Sequence, residues 1–200
     1  MSRIKLLSET PSILDEYMAE LRSVESQNNR ESFRENIRKV GRVLGYEISK
    51  TLKFSLSEVQ TPLAVHTQNR LADDVVLITI LRAGLPLHEG MLSCFPNAEN
   101  GFVSAYRKHD EAGGFEIEVG YVACPDLTGK VLILNDPMLA TGSSFETALK
   151  VLEEYGEPKS IHIAAVIASA NGVKKLSQSL SEDVQIWIAA IDPDLNEQKY

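Results

Sequence analysis

The chain is poor in the features that mark several protein classes. It has two cysteines, Cys94 and Cys124, which form no CxxC and no metal-ligand pattern with the four histidines. No metal set on side chains is expected, and a reduced, cytoplasmic setting is the plain reading. No apolar run approaches the roughly 18–20 residues of a membrane span. Met1 to Leu7 has basic residues but no long apolar stretch or small-residue cleavage site, so no secretory signal is expected. No repeat, low-complexity tract or Pro/Gly-rich linker divides the chain, and a single domain over residues 1–200 is expected. Positive charge is scarce too. Lys and Arg total 20 against 28 Asp and Glu, a net charge of −8. Residues 1–60 carry ten basic and nine acidic side chains, and the rest carry ten and nineteen. So acidic a body is a poor binder of nucleic-acid backbone. An anionic ligand would need backbone N–H groups, a few arginines or a bridging cation.

What is present fits a soluble globular fold, with 44% hydrophobic and 24% charged residues. Thr10-Pro11 is a helix-start signal, followed by apolar residues at helical spacing up to Leu21. Phe33, Ile37, Val40, Leu44, Ile48 and Leu52 predict a long amphipathic helix over about 30–52, with close packing at Gly41 and Gly45. Between Phe54 and Thr67 the pattern is ambiguous, with short strands around Pro62. Val75 to Leu81 and Val131 to Asn135 read as buried parallel strands, because both are continuous β-branched apolar runs. Helices are predicted at 86–94, 143–155 and 171–180, and further strands at 160–168 and 184–191. Strands 101–108 and 115–123 are joined by a hairpin-like loop, 109–114. The alternation gives an α/β fold: a mainly parallel twisted sheet with helices on both faces, a β-hairpin flap and an N-terminal helical region. Ligands on such sheets bind at the carboxyl ends of the strands. The residues after Leu81 and after Asn135 are therefore the candidate site.

After Asn135 the chain runs Asp136-Pro137-Met138-Leu139-Ala140-Thr141-Gly142-Ser143-Ser144 into a helix. Gly142 permits close backbone approach or positive φ. Thr141, Ser143 and Ser144 place hydroxyls beside the first free N–H groups of the helix, an arrangement that suits a phosphate monoester. Taken alone, these residues fit ordinary N-capping equally well. No GxxxxGK[ST] and no strand-borne GxGxxG is present.

The full stretch resembles the 5-phosphoribosyl-1-diphosphate (PRPP) motif of the type I phosphoribosyltransferases, in the form used by the uracil phosphoribosyltransferases. Met138-Leu139-Ala140 between the acid and Thr141-Gly142 is what distinguishes the uracil form. By that resemblance Asp136 contacts the ribose hydroxyls and Thr141 to Ser144 hold the 5′-phosphate. Ile80-Leu81-Arg82-Ala83-Gly84-Leu85 is similar to the family's diphosphate loop. There an arginine and backbone N–H groups would stabilise charge on the departing diphosphate. Tyr106-Arg107 resembles a further diphosphate contact carried on a mobile hairpin, with His109 to Gly114 as a lid and Lys108 a weaker candidate. Phe33-Arg34-Glu35 and Tyr46-Glu47 are similar to the family's amino-terminal helix. Ala189-Ala190-Ile191-Asp192 and Leu195-Asn196-Glu197 with Tyr200 are similar to the run before its base-recognition segment. Two residues depart from the pattern, Ser143 where glycine is usual and Asn135 where an aliphatic residue is usual. Uracil-binding residues would follow Tyr200, and a tail beyond that residue is expected.

The resemblance implies an enzyme that joins PRPP and uracil to give UMP and diphosphate, with Mg²⁺ carried on PRPP rather than by protein side chains. It also implies a homodimer or higher homo-oligomer and a possible GTP effector, with no nucleic-acid or membrane partner. A sensor of nucleotide or PRPP on the same fold, or transfer to another base, is the alternative. His88 is read as a helix-surface residue, Trp187 as core, and both cysteines as inert buried thiols.

Overall fold

A computed structural model describes residues 3–109 and 115–192, with side chains described except at 105–109 and 115–118. Two helices follow a short strand β1 (Ile4–Leu6): α1 (Ile13–Arg22) and α2 (Arg30–Ser49). Then come β2 (Phe54–Gln60), β3 (Val65–Leu71), β4 (Val75–Leu81), α3 (Leu85–Leu92), β5 (Glu99–His109) and β6 (Phe115–Ala123). The last third holds β7 (Val131–Asn135), β8 (Met138–Leu139), α4 (Ser143–Leu152), β9 (Ser160–Ser169), α5 (Ala170–Ser179) and β10 (Gln185–Asp192). The main sheet runs β1-β10-β9-β7-β4-β5-β6, with β8 against β9. All its pairs are parallel except β5–β6.

The sheet is buried on both faces, which is why its central strands read as unbroken apolar runs. Alternate residues go to opposite sides. Val75, Leu77, Val131, Ile133 and Val166 face Leu14 and Met18 of α1, Val40 and Leu44 of α2, and Leu87 and Met91 of α3. Val76, Ile78, Leu132, Leu134 and Ile163 face Phe145 and Ala148 of α4 and Val173 and Leu176 of α5. The close packing expected at Gly41 is real. A Cβ there would lie 2.5 Å from the Leu87 carbonyl oxygen, so α2 and α3 touch backbone to backbone.

The ambiguous stretch after Phe54 forms a separate antiparallel hairpin, β2–β3, paired from Phe54↔Leu71 to Gln60↔Val65. It projects away from the core, with Leu56, Leu63 and Val65 exposed. Both faces of β3 meet solvent, so no alternation of apolar and polar residues marks it. His88 differs from its surface reading. It is buried, its Nε2 lies 2.7 Å from Asn100 Oδ1, and its ring packs on Phe102. Burial also pushes its pKa below the usual histidine range. Trp187 is core, as expected, and donates from Nε1 to His162 Nδ1 at 3.1 Å. Both thiols are free and only half-buried.

Candidate active site

β4 and β7 are adjacent and parallel, in register from Val75↔Val131 to Thr79↔Asn135. Their carboxyl ends therefore deliver the two predicted loops side by side. Below the loops, Thr79 Oγ1 donates to Asn135 Oδ1 at 2.7 Å, and Asn135 Nδ2 donates to the Ile78 carbonyl at 2.9 Å. Both side chains are fully buried. An aliphatic residue at 135 would leave the Thr79 hydroxyl facing only main-chain oxygen, so the two polar residues satisfy each other. Thr79 was missed in sequence because its partner lies 56 residues away.

The first loop turns at once. Arg82 and Ala83 are exposed and Gly84 is buried at the start of α3. A Cβ on Gly84 would stand 2.0 Å from Thr79 Oγ1, so only glycine lets the loop sit down on the strand end. The Leu81–Arg82 peptide is cis. Among the described residues no carboxylate pairs with Arg82. Arg38 of α2, by contrast, is committed to Glu35 and to Glu89, with its Nε 2.8 Å from Glu89 Oε2.

The second loop is laid across β9. The Asp136 N–H donates to the Ala164 carbonyl at 3.2 Å, and the Pro137 carbonyl accepts from Val166 and Ile167 at 3.1 and 3.0 Å. Met138 and Leu139 then pair with Ile167 and Ala168 as β8. Ser169 Oγ donates to the Ala140 carbonyl at 2.7 Å while accepting from Gly172 N–H at 2.9 Å. Ser169 thus caps α5 and pins the loop, a role legible only as a Ser before a helix. Gly142 has φ +82°, the left-handed region, which turns the chain into α4. Gly142 gives α4 no side-chain N-cap, and of the first-turn donors the Ser143 N–H meets Thr141 Oγ1 at a long 3.5 Å.

Asp136 is half-buried, and burial pushes its carboxyl up to about 6, against the pull of the Met138 N–H at 3.3 Å. Pro137, Ala140, Ser143 and Ser144 are half-buried, Leu139 and Gly142 buried, and Met138 and Thr141 exposed. Thr141 Oγ1 donates to Ser143 Oγ at 3.1 Å. Arg82, Ala83, Pro137 and Met138 open on one cavity of about 710 Å³, whose other wall includes Phe33 and Ile37 of α2. Among the described residues no three His, Cys, Asp or Glu side chains are grouped to hold a metal. For Arg107 only the backbone is described, in β5. The side chains of Arg107, Tyr106, Lys108 and His109, the loop 110–114, and residues 195–200 lie outside the described residues.

The family model for uracil phosphoribosyltransferase matches residues 8–200. The chain belongs to the uracil phosphoribosyltransferase family. A uracil phosphoribosyltransferase of Porphyromonas gingivalis is 50% identical over 189 residues, which covers 94% of this chain and 88% of that protein. A solved structure of an Aquifex aeolicus protein matches with TM-score 0.85 at 30% identity, covering 98% of this chain and 91% of that one. A Staphylococcus aureus hypoxanthine phosphoribosyltransferase, 13% identical with TM-score 0.52 over 78% of this chain and 74% of that one, shares the fold alone. The sheet order, the separate antiparallel hairpin and the flanking helices are those of a type I phosphoribosyltransferase. No helix among the described residues is long and apolar enough to cross a membrane.

Proposed function

We propose that this family member acts as a single phosphoribosyltransferase domain that transfers the 5-phosphoribosyl group of PRPP to uracil. The bond from the anomeric carbon to the diphosphate oxygen breaks with its electron pair on the diphosphate. The bond to the pyrimidine nitrogen forms, and that nitrogen's proton leaves to solvent. The products are UMP and diphosphate. One observation carries the reading: the Arg82 loop and the Asp136–Ser144 loop end adjacent parallel strands, and Arg82 and Ala83 of the first line one cavity with Pro137 and Met138 of the second.

No side chain need act as a nucleophile. Catalysis rests on positioning and on charge stabilisation where charge develops. Arg82, exposed and without a carboxylate partner among the described residues, would hold the diphosphate with the backbone of Ala83, while Gly84, its N–H on the Ile80 carbonyl at 3.2 Å, would let the diphosphate come close to the turn; Arg107 would add a second guanidinium. Asp136 would accept from the ribose hydroxyls and favour positive charge on the ribose ring. Pro137 to Ala140 set the spacing, and Thr141 to Ser144 at the open start of α4 would hold the 5′-phosphate. Mg²⁺ would arrive on PRPP, coordinated by substrate oxygens and water. The cation would also favour ionised Asp136.

A homodimer is part of the reading, with the exposed apolar residues of β2–β3 as the surface a second copy would cover. The free thiols suit the cytoplasm. Chromatographic detection of UMP from uracil, PRPP and Mg²⁺ tests the activity, and GTP added to the same assay tests for an effector. Uracil consumed one for one with diphosphate released is expected. PRPP bound tightly with no UMP formed would favour a sensor instead.

A further inference from the structure

α5 lies directly against the loop assigned to the 5′-phosphate. Ser169 holds the Ala140 carbonyl, and a Cβ on Gly142 would be 3.0 Å from Leu176 Cβ. Beside Leu176, Lys175 reaches along the same contact to the mouth of the loop. Its Nζ lies 3.5 Å from Ser143 Oγ and 3.9 Å from Glu146 Oε2. Ser143 stands where the resemblance expects glycine. Its hydroxyl accepts from both Thr141 and Lys175, so the added side chain links the loop to a cation on the neighbouring helix.

We propose that Lys175, steered by Ser143, is a further PRPP-binding residue of this chain and contacts the 5′-phosphate. The inference rests on the PRPP reading of residues 136–144. Three facts support it. Residues 136–144 contain no Lys or Arg, so a phosphate dianion there meets only N–H and O–H donors. Glu146, in the first turn of α4, places a carboxylate near the same helix start and opposes that dianion. An ammonium beside both Ser143 and Glu146 offsets the carboxylate and has donors left for phosphate. With phosphate bound, the Thr141 and Ser143 hydroxyls would rotate to donate to it. Lys175 is 58% exposed, so its contribution is a moderate gain in PRPP affinity.

The competing explanation is that Lys175 only shields Glu146. Steady-state UMP formation by the full chain separates the two, using wild type, K175A, E146Q and the double variant. K175A is expected to raise KM for PRPP about threefold to fivefold, the range for a solvent-exposed charge contact. kcat should stay within about twofold, the KM for uracil should hold, and added NaCl should raise KM less steeply than in wild type. The loss should persist in the E146Q background. K175A with a wild-type KM, or a loss that vanishes with E146Q, would overturn the proposal. If wild type makes no UMP, the activity reading fails by itself. Calorimetric titration with ribose 5-phosphate then decides: weaker binding by K175A supports the contact, and equal binding overturns it.

Discussion

The helices of this molecule start in two ways. α1, α2 and α5 begin on Ser12, Asn29 and Ser169, whose side chains accept from first-turn N–H groups. For α1 the device is a full capping box, in which Asp15 accepts in return from the Ser12 N–H at 2.7 Å. α3 and α4 begin on Gly84 and Gly142 with no side-chain cap. Those two starts follow the two loops that meet at the cavity. A capped start spends its donors within the protein. α3 spends its first one too, from Leu85 N–H to the Arg82 carbonyl at 3.4 Å, and Pro86 has none, so α4 is the uncapped start with more to offer an anion. On the proposed reading, that difference puts the 5′-phosphate at the start of α4 rather than of α3.

The largest effect should come from the guanidinium at the open end. R82A is expected to lower kcat by about 10²–10³-fold, the range for removing one donor from developing charge. Near-normal turnover would remove Arg82 from the diphosphate. G84A should follow at about a hundredfold loss in kcat/KM, because its Cβ would collide with Thr79 and shift the Arg82 loop. Circular dichroism at the assay temperature separates that shift from unfolding.

The two strand runs, Val75–Leu81 and Val131–Asn135, were legible because burial on both faces erases alternation and leaves an apolar run. The loops were legible because their residue types carry chemistry. β1 and β8, three and two residues long, are too short to show any period. α1 starts at Ile13 after Ser12, later than Thr10-Pro11 suggests, because the capping box with Asp15 sets the first turn. α4 ends at Leu152, and 153–155 continue as a 3-10 turn, a tightening that apolar spacing does not reveal. Asn135 read as a departure until topology supplied Thr79. The Ser169 contact with Ala140 was equally invisible, since it joins the end of β9 to the loop through the parallel pairing of β8 with β9.

Protonation offers a smaller effect. In the free protein Asp136 titrates near 6, so kcat/KM should fall about tenfold per pH unit below that value. D136N should remove this inflection. Stability carries the opposite sign. The Asp136 pKa is raised from 3.8 to about 6, so its contribution is fully present below about pH 4 and lost as pH rises through 6. Near the amino end of β9, His162 is buried neutral and its pKa is lowered from 6.5 to about 4. Its contribution is present above 6.5 and lost as pH falls through 4. In wild type the two trends oppose each other between pH 4 and 6. D136N should therefore lose stability more steeply on acidification than wild type, by denaturant titration. Parallel curves would contradict this assignment. The smallest effect belongs to the capped starts: S12A or N29A should cost about 1 kcal/mol of stability and leave kcat unchanged.

The most direct measurement is a titration of isotope-labelled full-length protein with ribose 5-phosphate, following backbone amide resonances. The largest shifts are expected at Thr141 to Ser144, with none at Leu14 or Glu31, whose N–H groups are already capped. Shifts centred on α1 or α2, with the start of α4 silent, would contradict that expectation.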